Sequence, residues 1–411
     1  MPEHRDVPAP SGRRRRVPIV QPLQEFLRES TSSSWVLVAA VVAALVWVNS
    51  PWGASYDRLW STPLVLHIGD LRIGSDLAFW ISSGLMTFFF LVVGLEIKRE
   101  VTIGELRRPK AVALPAIAAV GGMVVPALLY LAIAHGGSAG RGWGVPIATD
   151  IALALGALAL AARHAPAALK PLLLTLAIVD DIGAIVVIAV FYSHGGRPRA
   201  LVAALLIVAA VIVLERLHVR ATWVFVGLGV LLWVACDQAG IHPTIAGVVM
   251  GLLTPVHARP DEEVAPLVRT EHVLLPWTSF LIVPLFALSS AGVHLSPATV
   301  SAALGGVVAA GVFVGLVIGK PIGVVAASLL ARRTGVGEAP AEVGTRALVG
   351  LGATAGIGFT VGLFIAELAF STEPLLLAEA KIGLLTASVV AGALGYAVLR
   401  GSGRSTRSDL P

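Results

Sequence analysis

The feature that most constrains this chain is a succession of apolar runs, at roughly residues 35–49, 77–97, 111–134, 146–163, 170–193, 199–215, 221–236, 242–257, 273–292, 302–331, 345–369 and 375–399. Each is long enough to cross, or nearly cross, a hydrocarbon core of about 30 Å as a helix. A chain that spends its length this way has one economical fold class, an all-α polytopic membrane protein, here with twelve transmembrane helices. Composition agrees: 56% of the 411 residues are hydrophobic and 13% charged, whereas a soluble core needs far less apolar sequence. The single Cys236 excludes an internal disulfide framework, and no Cys/His cluster suggests zinc or haem, so no cofactor is expected. The net charge of +5 does not point to nucleic acid, because no soluble face is visible to carry a basic patch.

The basic residues instead orient the helices. If the N-terminus is cytoplasmic, the inner segments hold Arg13–Arg16, Lys98, Arg99, Arg107, Arg108, Lys110, Arg163, Lys170, Arg216, Arg220, Arg332, Arg333 and Arg346, among others. The outer segments hold only Arg58, Arg72, Arg141, Arg197 and Arg199. The positive-inside rule then places both termini in the cytoplasm. Residues 1–34 read as a basic cytoplasmic tail, 35–399 as the membrane domain and 400–411 as a cytoplasmic C-terminal tail. A signal peptide is not expected, since the arginine cluster lies far from the first apolar run and no cleavage site follows it. In the first outer loop, Leu64–Ile68, a Gly69-Asp70 turn and Leu71–Ile73 read as a β-hairpin. Its edges would be free to pair between protomers, which makes a homodimer an expectation.

Against this apolar background three acids stand out: Asp150 in the fourth run, and Asp180 and Asp181 in the fifth. A charge in the middle of a bilayer costs a few kcal/mol even on lenient scales, so it implies a buried partner, a water-filled cavity or an ion path. At about 1.5 Å per residue, Asp180 lies about 15 Å from the inner end of its helix, Asp150 about 20 Å and Lys320 about 18 Å. Two acids and a base at one depth, on separate helices, can pair and make one another's burial tolerable. The fourth run is interrupted by Pro146 and Thr149-Asp150, the eleventh by Gly350, Gly352, Gly356, Ile357 and Gly358. Glycines in such a run can also serve close helix packing. Interrupted spans in two halves of a chain are nevertheless the sequence pointer to a transporter site. Half-helices meeting in mid-membrane bring like dipole ends together, so Asp150 could neutralise facing N-termini and Lys320 facing C-termini.

At these residues the chain resembles the NhaA family of Na+/H+ antiporters, over almost its whole length from Trp35 to Leu399. The matching stretches are Phe90–Glu100 (FLVVGLEIKRE), Ala148–Gly156 (ATDIALALG), Leu176–Ala184 (LAIVDDIGA), Ile318–Pro321 (IGKP) and Gly356–Thr360 (GIGFT). The resemblance implies inverted three-helix repeats, helices three to five against ten to twelve, whose broken fourth and eleventh members cross near the ion site. It implies Asp180 and Asp181 as the ion and proton carriers that hold the transported Na+, Asp150 and Thr149 lining the site, and Lys320 paired with Asp180. Glu96, Glu271 and His272 correspond to a pH-sensing inner mouth. The implied activity is electrogenic efflux of Na+ or Li+ against protons in a bacterial cytoplasmic membrane, with no cofactor. Two positions depart from the family: Ser82-Ser83 stand where Asn-Asp is frequent, and Leu275 where well-known members have a second histidine. His242 lies near the family's histidine position at the outer surface, and a lone histidine there reads more readily as structural.

The residues themselves support the same chemistry. Na+ is a hard cation that takes oxygen ligands, as the larger hard cations do, and carboxylates, the Thr149 hydroxyl and carbonyls freed by a helix break supply them. Asp180 and Asp181 project about 100° apart on a helix, so one can face an ion cavity while the other faces a neighbouring helix. No enzyme activity is expected. An intramembrane aspartyl protease would need two acids on facing helices and a Gly-x-Gly-Asp signature that is absent. A sodium-coupled symporter on a similar scaffold is the alternative within transport, and the three acids with Lys320 favour antiport.

Overall fold

The computed structural model describes residues 20–402, apart from 70, 108, 162–165, 167, 194, 220, 259–263 and 337–342. The basic cluster Arg13–Arg16 and the residues from 403 onward lie outside the described residues. Helix α1 (Val20–Val48) begins well before Trp35. Its only proline, Pro22, sits in the first turn, where a missing N–H costs nothing, and no glycine interrupts the rod, so it runs unbroken through the buried Ser33 and Ser34. Helix α2 (Gly53–Trp60) turns from it by 114°. Strands β1 (Leu66–Ile68) and β2 (Leu71–Ile73) pair antiparallel, with Leu66 opposite Ile73 and His67 opposite Arg72.

Helix α3 (Leu77–Thr102) is capped by Asp76, which accepts from Phe79 N at 2.8 Å, and carries a π-turn at Trp80–Leu85. There follow α4 (Pro109–Ile133), a 3-10 segment α5 (Ala139–Ile147), α6 (Ile151–Ala161), α7 (Leu169–Phe191), α8 (Pro198–Arg216), α9 (Thr222–Gln238) and α10 (Thr244–Leu253). The remainder is α11 (Pro266–Ser290), α12 (Pro297–Gly305), α13 (Val307–Arg333), α14 (Thr345–Ala355), α15 (Phe359–Ala369) and α16 (Pro374–Ser402). Helices α11 and α13 each contain a π-turn, at Thr278–Ile282 and Gly315–Gly319.

Seven of these helices are long and apolar enough to cross a membrane, and up to 10 spans result if the bent pairs α1/α2, α5/α6 and α14/α15 count as one each. The chain is a multi-pass membrane protein. Helices α9 and α10, read from sequence as full spans, are only 17 and 10 residues long. Their lengths follow from Gly240 (φ +73°), which ends one, and Thr254-Pro255, which ends the other.

The core gathers around Phe286, Phe364, Tyr130 and Leu316, with a second cluster around Leu114, Leu158 and Leu351. Elsewhere α8 and α9 leave Leu205, Leu206, Trp223 and Val230 exposed, an apolar surface matched by hydrocarbon rather than water. Helices α3 and α10 approach backbone to backbone, because a Cβ on Gly94 would sit 2.6 Å from Val248 O and one on Gly251 2.6 Å from Leu91 O. Small residues at such contacts are how helices pack without a hydrophobic driving force between them.

Candidate functional site

Two broken helices meet in the middle of the bundle. In the first, Gly142, Gly144 and Pro146 favour the 3-10 segment α5, and the chain extends at Ala148 (ψ 154°) before α6 resumes with a 47° bend. In the second, Gly356-Ile357-Gly358 separate α14 from α15, bent by 48°. The breaks free backbone groups that satisfy each other: Asp150 N donates to Ile357 O at 2.6 Å, and Thr149 Oγ1 lies 2.9 Å from Ala355 O. Only glycine allows this approach at Gly358, where a Cβ would stand 2.6 Å from Ala148 O. Two tyrosines hold the α5 end, Tyr130 donating to Ala139 O at 2.7 Å and Tyr192 to Arg141 O at 2.6 Å.

The charges compensate these helix ends. The buried Asp150 carboxylate accepts from Leu153 N at 3.0 Å and from Thr360 N at 3.2 Å, and so caps the first turns of both α6 and α15. Lys320, wholly buried, donates to Ile147 O at the C-terminal end of α5 and pairs with Asp180 Oδ2 at 2.7 Å. Thr149 Oγ1 is 2.7 Å from the same carboxylate oxygen. A hydroxyl has one proton to donate, so Thr149 can serve either Asp180 or Ala355 O at one time. With Asp180 protonated, the acid can donate to Thr149 and Thr149 to Ala355 O, which satisfies both. Asp180 Oδ1 is buried without a hydrogen-bond partner.

Asp181 sits differently. It does not touch Lys320 but lines a cavity of about 100 Å³ together with Glu96, Thr149, Asp150, Thr278 and Thr360, and its Oδ1 is likewise buried and without a hydrogen-bond partner. The 100° offset between neighbouring helical residues therefore separates the two acids, one held by a base and one facing open space. Asp150, Thr149, Asp180, Lys320 and Gly356–Gly358 thus converge at the crossing.

The residues read as an inner mouth form a separate group. Arg99 donates to Glu271 Oε1 and lies 4.0 Å from Glu96 and 3.7 Å from Glu100. Glu96 also reaches the cavity, so it belongs to both places. His272, the next residue along, is exposed, and its charge acts on Glu271. His242 packs edge-on against Phe364 and bonds Thr244 Oγ1 at 2.8 Å. Sequence reasoning missed Arg99 as the hub of three carboxylates, and it missed the contributions of Ser33, Thr278 and Ser279 to the cavity wall. For Arg99 a signal existed, since Glu96 precedes it by three residues, the spacing at which helix side chains meet.

The sequence model described as Na+/H+ antiporter 1 matches residues 24–399. Among similar proteins, the "Na(+)/H(+) antiporter NhaA" of Acidovorax sp. (strain JS42) is 50% identical over 366 residues, covering 88% of this chain and 88% of that protein. The protein of the same name from Rhodospirillum rubrum is 45% identical over 398 residues, 95% of this chain and 100% of the relative. The "Na(+)/H(+) antiporter NhaA 2" of Sorangium cellulosum is 44% identical over 422 residues, 93% and 90% of the two chains.

Proposed function

The chain belongs to the Na+/H+ antiporter 1 family, and from that membership we propose that it exports Na+ or Li+ in exchange for protons by alternating access at Asp180 and Asp181. The observation that carries this reading is the pair of adjacent buried carboxylates at the crossing of two broken helices, one balanced by Lys320 and one open to a cavity. Protons and Na+ compete for these oxygens. When the acids lose their protons, a cation can bridge toward Asp181 and Asp180, drawing ligands from Thr149 and the freed carbonyls, and Lys320 gives up its partner. Asp150 steadies the crossing by capping both half-helices and offers an oxygen beside the ion. Two carboxylates that take protons singly but share one monovalent cation give more protons than sodium per cycle, so exchange is electrogenic.

The seven long helices, the three bent pairs and the shorter α9 and α10 make twelve crossings, arranged as inverted repeats of helices three to five and ten to twelve. The distribution of Lys and Arg puts both termini in the cytoplasm of a bacterium. Glu96 and Glu271, linked through Arg99, and the exposed His272 sense cytoplasmic pH. The β1–β2 edges pair two protomers into a homodimer. The test is direct: in everted vesicles holding a respiration-driven pH gradient, added Na+ or Li+ dissipates the gradient. Inserted, folded protein that leaves the gradient intact contradicts the reading.

A further inference from the structure

A cation approaching the Lys320–Asp180 pair through the cavity meets other oxygens first. Asp180 is not part of the cavity wall, while Asp181 and Glu96 are. Both acids are at least nine-tenths buried, and each has one oxygen, Asp181 Oδ1 and Glu96 Oε1, without a hydrogen-bond partner. Buried polar atoms in folded proteins are nearly always satisfied, so such oxygens call for an explanation. Three hydroxyl-bearing residues line the same cavity: Thr278 and Ser279 from α11 and Ser33 from α1. Thr278 is 2% exposed, and its hydroxyl proton is committed to Leu275 O at 2.9 Å. What it presents to any other partner is therefore lone pairs only. The π-turn at Thr278–Ile282 widens the helix where these two consecutive hydroxyl residues both reach the cavity, and single π-turns of this kind recur at functional sites.

We propose that Glu96, Asp181 and the hydroxyls of Thr278, Ser279 and Ser33 form an antechamber in which a monovalent hard cation, Na+ or Li+, exchanges part of its water for protein oxygens before it reaches Asp180. The proposal rests on the exchange reading above and adds to it a first holding position that shares Asp181 with the exchange site and brings Glu96 and the hydroxyls as further ligands. The chemistry fits. Two carboxylate oxygens and up to three hydroxyls are the oxygen set a hard cation accepts, and about 100 Å³ leaves room for several waters to stay bound. Arg99 lies 4.0 Å from Glu96 but is shared with Glu271 and Glu100, so it only partly offsets the negative field. A weak first position followed by a tighter one also suits transport, because a site must be favourable enough to fill and weak enough to empty.

The experiment measures Na+- and Li+-driven exchange in proteoliposomes for wild type, Thr278→Val, Thr278→Ser and the Ser33→Ala/Ser279→Ala double variant. Valine keeps the shape of threonine and removes the oxygen. The expected result is an apparent KM for Na+ raised about tenfold in Thr278→Val and at least threefold in the double variant, with the rate at saturating Na+ within about twofold of wild type. Thr278→Ser, which retains the hydroxyl, keeps the wild-type KM. A purely structural role would lower the rate and the amount of folded protein instead of raising KM alone. An active wild type whose KM is unchanged in Thr278→Val and in the double variant overturns the antechamber and leaves the exchange reading standing. A folded wild type that exchanges neither cation overturns both.

Discussion

The crossing and the Arg99 cluster use the same kinds of side chain to opposite effect. At the crossing, Lys320 and Asp180 are wholly buried, and each also meets a backbone carbonyl or a hydroxyl. At the end of α3, Arg99 keeps 29% of its side chain exposed and divides itself among Glu96, Glu100 and Glu271. Burial makes the first arrangement close to all-or-none, since an uncompensated charge has no water to turn to. Sharing makes the second graded: Glu96 and Glu271 are buried, but the partly exposed Arg99 divides itself among three acids, so the loss of one leaves it the other two and water. A transporter has use for both, a site that must be either loaded or empty and a mouth whose response can be tuned.

The contrast can be broken or sharpened by substitution. The largest effect belongs to the acids: Asp181→Asn and Asp180→Asn each lower exchange by at least about a hundredfold, the loss expected when a buried ionic ligand goes, measured as Na+-driven dissipation of a pH gradient. Next comes Lys320→Met, which strands the Asp180 charge and costs about 3–5 kcal/mol of stability, read as a fall in thermal unfolding temperature in detergent. Adding Asp180→Asn to that variant restores most of the lost stability, because neither charge then remains uncompensated. Gly358→Ala, which drives a Cβ toward Ala148 O, costs about 1–3 kcal/mol in the same measurement and slows exchange. Smallest is Glu271→Gln, which keeps the shape and an acceptor oxygen for Arg99, with a stability change of about 1 kcal/mol. Its signature is the pH profile. With Glu271 neutral, the Arg99 charge serves Glu96 and Glu100 alone, so the curve of exchange against pH moves to lower pH; an unmoved curve separates the cluster from pH response.

Much of the crossing was legible because charges in apolar runs are costly and therefore informative. Counting residues from the helix ends put Asp150, Asp180 and Lys320 at one depth, and the Lys320–Asp180 pair and the two Asp150 caps agree with that count. Helix rotation was not legible, so nothing in the sequence said that Asp181 rather than Asp180 would face the cavity. Hydroxyls gave no warning either, because a serine or threonine in an apolar helix can satisfy itself on a carbonyl one turn back, as Thr278 does on Leu275. The first apolar run is legible only from Trp35, because Val20 to Ser34 mixes polar and apolar residues; the unbroken helix carries Ser33 into the cavity wall. His272 looked equivalent to Glu271 in sequence, yet one residue of helix turn leaves it exposed.

The central claim is that protons and Na+ compete for the carboxylates of Asp180 and Asp181. The most direct measurement is the transient current evoked by Na+ in proteoliposomes on a solid support, recorded over a series of pH values. A proton on either carboxylate excludes the cation, so the Na+ concentration giving half-maximal current rises as pH falls, and Asp181→Asn gives no current at any pH. A half-maximal concentration independent of pH, or full current from Asp181→Asn, would contradict the account.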